Sequence, residues 1–74
     1  MEVAGTLEGL RAYTIHGGPY YQIWYSLADN PETVHQCQLP GDAVYDDPRP
    51  GDAITLTLLL QTVMRIDRRE AARP

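Results

Sequence analysis

The side chains best suited to chemistry in this chain are His35 and Cys37, two residues apart in Val34-His35-Gln36-Cys37-Gln38-Leu39. On an extended strand that spacing puts both on one face. There an imidazole and a thiolate could share a zinc ion with His16, or act as base and nucleophile. Neither arrangement is complete. Zinc signatures repeat their ligands at tighter spacings, and no third group stands by to orient the histidine, so Cys37 reads as a small core residue. A second cluster is acidic: Asp42, Asp46, Asp47 and Asp52. Its spacing is not that of a calcium loop, the prolines between the acids restrict convergence, and the adjacent carboxylates Asp46 and Asp47 point apart. These acids read as solvated loop residues. No catalytic or cofactor motif is left, and the expectation is a non-catalytic protein with no cofactor and no metal.

What remains is recognition chemistry. Along Tyr20 to Leu27, Tyr21, Ile23, Tyr25 and Leu27 alternate with Tyr20, Gln22, Trp24 and Ser26, the period of a half-buried strand. The first set reads as core. The second faces outward, and if this strand and the Val34–Leu39 strand form a hairpin, Tyr20, Gln22 and Trp24 share a face with Gln36 and Gln38. Flat rings beside amides can stack on bases or sugars. They can equally pack on another protomer, where Tyr and Trp are favoured because they join apolar area to a polar tip. Arg11, Arg65, Arg68 and Arg69 are the candidate contacts to phosphates or to a partner's acidic loop. The formal charge of -4, from ten carboxylates against six arginines, opposes attraction to a phosphate backbone. A homo-oligomer or partner-protein interface is therefore expected ahead of single-stranded nucleic acid. The Asp-rich loop and the Arg-rich end, Arg65 to Arg73, predict an electrically two-sided molecule.

The elements that must hold this face are short strands. Val3 to Ile15 reads as a first strand whose glycines allow bending or close approach, and His16-Gly17-Gly18-Pro19 is a turn. Ala28 to Thr33 reads as a loop. Pro40 to Asp47 suits one turn of helix. From Asp52 to Ile66, the alternation Ile54, Leu56, Leu58 against Thr55 and Thr57 gives two further strands, with Leu58-Leu59-Leu60 as the corner. Extended throughout, Ile54 to Ile66 would reach roughly 43 Å at 3.3 Å per residue, too long for a body this small. The run must coil or break. The expected fold is all-β, a small five-stranded OB-like or SH3-like barrel with at most one short helical turn, formed by residues 1–74 as one domain with 68–74 a disordered tail.

Size and composition narrow the class further. With 74 residues, only about 60% of the unfolded chain's surface can be buried. The lone Cys37 excludes an internal disulfide, so strand closure or association must stabilise the domain. No secretory signal and no apolar run of membrane-helix length appears, which points to a cytoplasmic protein with no membrane contact.

Gly5-Thr6-Leu7 on the first strand, Gln36-Cys37-Gln38-Leu39-Pro40 ending the third, and Pro50-Gly51-Asp52-Ala53-Ile54-Thr55-Leu56 leading into Leu58-Leu59-Leu60-Gln61-Thr62-Val63-Met64-Arg65 together resemble a known pattern. It is that of the OB-like N-terminal domain of the Holliday-junction helicase's DNA-binding component. The resemblance implies a barrel with a tendency to self-assemble. It departs from the family at the Ala28–Thr33 loop, where the family has a glycine-rich turn, and at Ile66-Asp67, where the family has an acidic pair. The helix-hairpin-helix domain that grips DNA in that family has no counterpart in these 74 residues, so junction binding is not implied.

Overall fold

A computed structural model describes residues 1–69. It is built of five strands, β1 (Glu2–Ile15), β2 (Gly18–Leu27), β3 (Asn30–Pro40), β4 (Ala53–Leu59) and β5 (Thr62–Arg68), with one 3₁₀ turn at Gly41–Ala43. The expected all-β class with a single helical turn is what forms. The strands make one antiparallel sheet in the order β3-β2-β1-β4-β5.

The long strand is β1, not the leucine-rich run. Its fourteen residues would reach roughly 46 Å at 3.3 Å each, matching the 42 Å longest dimension of the molecule. One end of β1 pairs with β4, from Glu2–Thr57 to Thr6–Ala53, and the other with β2, from Gly9–Trp24 to Ile15–Gly18. Between them Glu8 is a bulge, left without a partner where the register shifts from Leu7–Tyr25 to Gly9–Trp24. The extra residue bends the strand so that both halves bury one face. Gly5 serves the same curvature: a Cβ there would collide with the Ser26 carbonyl and lie 2.9 Å from Leu56 Cδ1.

The run Ile54 to Ile66 breaks. Leu60 and Gln61, with φ of 52° and 69°, form a two-residue hairpin turn whose backbone twist matches that of the flanking strands, and Met64 is the bulge opposite the Thr57/Leu58 step. Turning there lets Leu56 face Ile66 and Leu58 face Val63. The expected corner at Leu58–Leu60 is thus a tight turn one residue further on. The Ala28–Thr33 loop is corrected too: Ala28 and Asp29 alone make the turn, Asn30 already pairs with Leu27, and Pro31 to Thr33 are absorbed as an irregularity inside β3 before Val34 meets Ser26.

The core is Leu7, Ile23, Tyr25, Leu39, Ile54, Leu56, Val63 and Ile66. Fully burying side chains of this kind contributes about 1.5–3 kcal/mol each, the main source of stability in a chain without a covalent staple. Closure is the one correction to the barrel: the sheet stays open between β3 and β5, which approach each other without a ladder. β3 ends at Pro40 and gives way to the 3₁₀ turn. Among the described residues a single parallel bridge, Val44–Ile66, spans the gap just beyond the 3₁₀ turn.

Arg68 and Arg69, expected in the disordered tail, are held by the sheet instead. Arg68 pairs with Ile54 and the Arg69 N–H donates to the Ala53 carbonyl at 2.9 Å, while positions 70–74 lie outside the described residues. Among the described residues no helix is long and apolar enough to cross a membrane.

Candidate functional site

The outward face of β1, β2 and β3 is a grid set by two registers. The turn at His16-Gly17, both with positive φ (51° and 79°), is two residues long and fixes β1 against β2. Across the three strands it aligns Tyr13–Tyr20–Pro40, Arg11–Gln22–Gln38 and Gly9–Trp24–Gln36. All five residues expected on a binding face, Tyr20, Gln22, Trp24, Gln36 and Gln38, therefore stand together.

Within the grid each contact has a local cause. Trp24 leans over the side-chain-free strand position at Gly9, where a Cβ would lie 3.6 Å from Cε3. The indole thus hides one side on its own sheet and presents the other. The Tyr13 and Tyr20 rings meet at 6.0 Å between centroids, tilted by 32°, within the range of favourable aromatic pairs. Gln22 Nε2 donates to Gln36 Oε1 at 2.9 Å, tying the two amides together across β2 and β3. Ser26, the last of the outward set, is buried instead, and its hydroxyl donates to Glu8 at 2.6 Å. The bulge that bends β1 thereby closes one border of the face. At the opposite border, Gly18, Pro19, Tyr20, Pro40, Gly41 and Asp42 line an open notch of about 390 Å³.

Tyr13 and this notch escape the sequence reading. The signal for Tyr13 was present: a two-residue turn at His16-Gly17 places residue 13 opposite residue 20. The notch has no such signal, because it depends on Pro40 ending β3 beside Tyr20.

The arginines divide. Arg11 sits in the middle row of the aromatic grid. Arg65, Arg68 and Arg69 lie on or just past β5, at the far side of the sheet order, so the four do not form one phosphate-binding group. Arg65 contacts Asp67 at 2.8 Å, two residues along the same strand, and Arg68 contacts Asp52 at 3.9 Å, since β5 folds back along β4 and brings its end beside the start of that strand. The expected separation of charge is corrected accordingly: acids and arginines interleave, with Arg49 also on Asp47 at 3.1 Å. Arg73 lies outside the described residues.

Asp52 is structural. Its Oδ2 accepts from the Tyr45 hydroxyl at 2.7 Å and from the Arg49 N–H at 3.0 Å, and these hydrogen bonds hold its carboxyl below the ordinary value. Gly51 N–H donates to the Leu7 carbonyl at 2.6 Å and Leu7 N–H to the Asp52 carbonyl at 2.9 Å. The Pro-rich turn is thus pinned to β1 just before its bulge.

His35 and Cys37 do share the inner face, beside Tyr25 and Ile23. His35 stacks on Tyr25 at 5.3 Å, and burial pushes the Cys37 thiol up to about 11, away from the thiolate a nucleophile needs. His16, at the opposite end of β2, is roughly 17–23 Å distant along the strand. Among the described residues no three His, Cys, Asp or Glu side chains converge.

No protein-family model, curated protein or solved structure matches this chain. The geometry of the face is what a functional reading has to stand on. It is aromatic, amide-rich and close to neutral, with Arg11 inside it and Glu8 at its border.

Proposed function

We propose that this chain is a non-catalytic, OB-like interaction module that associates with itself or docks on a partner protein through the face bearing Tyr13, Tyr20 and Trp24. The observation carrying the reading is the grid itself: three half-buried aromatic rings and three glutamines in register on the outward face of the sheet. Such composition, rich in Tyr and Trp and poor in charge, distinguishes the centre of a protein interface from ordinary surface. The strand order and the parallel Val44–Ile66 bridge support the OB-like assignment, a partly open five-stranded barrel whose second and third strands carry the ligand face. The resemblance to the OB-like domain of the junction helicase's DNA-binding component points the same way.

A second reading has one observation in its favour. Arg11 stands between Tyr13 and Trp24 in the rows of the grid, where a phosphate of a base-stacked single strand would fall. One cation on a protein of charge -4 makes this the weaker reading.

Trp24 fluorescence separates the two. In the protein reading, oligonucleotides leave the emission unchanged at low salt, while acrylamide quenching falls as protein concentration or added partner rises. Quenching by short single strands that is reversed by salt overturns the protein reading in favour of nucleic acid. Trp24 remaining equally open to acrylamide in a strict monomer removes the self-associating form.

A further inference from the structure

The open sheet has two edges, and they are guarded very differently. β5 carries Arg65, Asp67 and Arg68, is broken by the Met64 bulge, and has Val44 laid against Ile66. Charges, bulges and covering segments are the devices by which native edges resist pairing. Among the described residues β3 has none of them at its centre. From Thr33 to Pro40 it holds no Asp, Glu or Arg, its backbone is regular from Val34 to Pro40, and Val34 is 53% exposed. Only its ends are blunted, by Pro31 and Glu32 with the irregularity beside them and by Pro40.

We propose that the bare centre of β3, Val34 to Leu39, pairs antiparallel with the same segment of a second copy. A second copy is the occupant because the segment complements itself. With the two-fold axis on Gln36, Gln36 faces its own mate and Val34 faces Gln38; with the axis on Cys37, Gln36 faces Gln38. Amides both donate and accept, so each arrangement is satisfied. In neither does a charge oppose a like charge, and the two Glu32 side chains stay roughly 27 Å or more apart along the strands. The prolines confine slippage. The contact is isologous and consumes the edge, so assembly stops at a dimer whose remaining edges are the guarded β5 strands.

This inference goes beyond the interaction-module reading, because it uses the β3 edge and not the aromatic face. Pairing at β3 joins two grids into one surface, with the Trp24 positions separated by three strand spacings, roughly 14 Å. The contact is small, so the dimer is weak.

The test is light scattering with hydrogen exchange on the full chain from about 10 μM to about 1 mM, a range suited to a weak dimer, with Gln36→Lys and Trp24→Ala beside the native sequence. The expected result is a dimer at high concentration in which alternate amides between Thr33 and Leu39 become protected. Gln36→Lys, placing two ammonium groups near the axis, raises the dissociation constant at least about tenfold, and Trp24→Ala still dimerises. A dimer lost in Trp24→Ala, with β3 exchange independent of concentration, overturns edge pairing and leaves self-association through the aromatic face standing. A strict monomer throughout also overturns it, leaving that face for a different protein. The interaction-module reading fails separately, on the Trp24 quenching experiment.

Discussion

At the scale of single residues, two positions set the geometry of everything else. Gly5 is where β1 passes under the β2 backbone, and the added methyl of Gly5→Ala would meet a carbonyl that cannot move without breaking the β1–β2 ladder. We expect Gly5→Ala to lose at least about 2 kcal/mol in urea unfolding, whereas Gly17→Ala loses less, since nothing lies within 4 Å of the methyl and only the positive φ resists it. Asp52 supplies a pH-dependent contribution. Its folded-state pKa is lowered, first by the Tyr45 hydroxyl and then by the Arg49 N–H. The stabilisation is therefore present above the unfolded value of about 3.9 and disappears as pH falls through the lower folded one. Tyr45→Phe removes the larger cause. Its urea midpoint should lie below that of the native chain at pH 7, and the two should converge under acid conditions.

Among the elements, the β4–β5 hairpin is the one built against local preference. Two-residue turns of this twist favour Asn-Gly because both residues need positive φ, yet the positions are held by Leu60, 91% exposed, and Gln61. Replacing Leu60-Gln61 by Asn-Gly should raise stability by about 1 kcal/mol without altering the fold, read as a higher urea midpoint at unchanged slope. This is also where the sequence reading slipped. The run of three leucines announced a corner but not its position, because position follows from pairing Leu58 with Val63 and Leu56 with Ile66, a choice made by the core rather than by the turn. The Ala28–Thr33 loop is shortened as well: Asn30 pairs with Leu27 at the start of β3, in the extended conformation that the following proline itself favours.

For the molecule as a whole, the consequence of an open sheet is uneven stability. β2 is paired on both sides along nearly all its length and β1 where its two ladders overlap, at Gly5 and Thr6, so these amides should exchange only on global unfolding. In dilute solution the amides of β3 and β5 that point away from the sheet should exchange through small local openings. Uniform protection of all five strands would mean that the gap between β3 and β5 is closed in solution. What the amino-acid order determined alone was whatever depends on alternation within a strand: the all-β class, the inward set Ile23, Tyr25, Cys37 and Leu39, and the outward set Tyr20, Gln22, Trp24, Gln36 and Gln38. A period of two is a property of the local backbone and needs no partner. The tertiary structure decided what depends on register and closure. It brought Arg68 to Asp52, sent Ser26 to Glu8, and left the outer edge of β3 without a ladder. Those outcomes turn on the bulge at Glu8 and on how β4 and β5 dock against β1, and they are fixed only when distant strands compete for the same buried face.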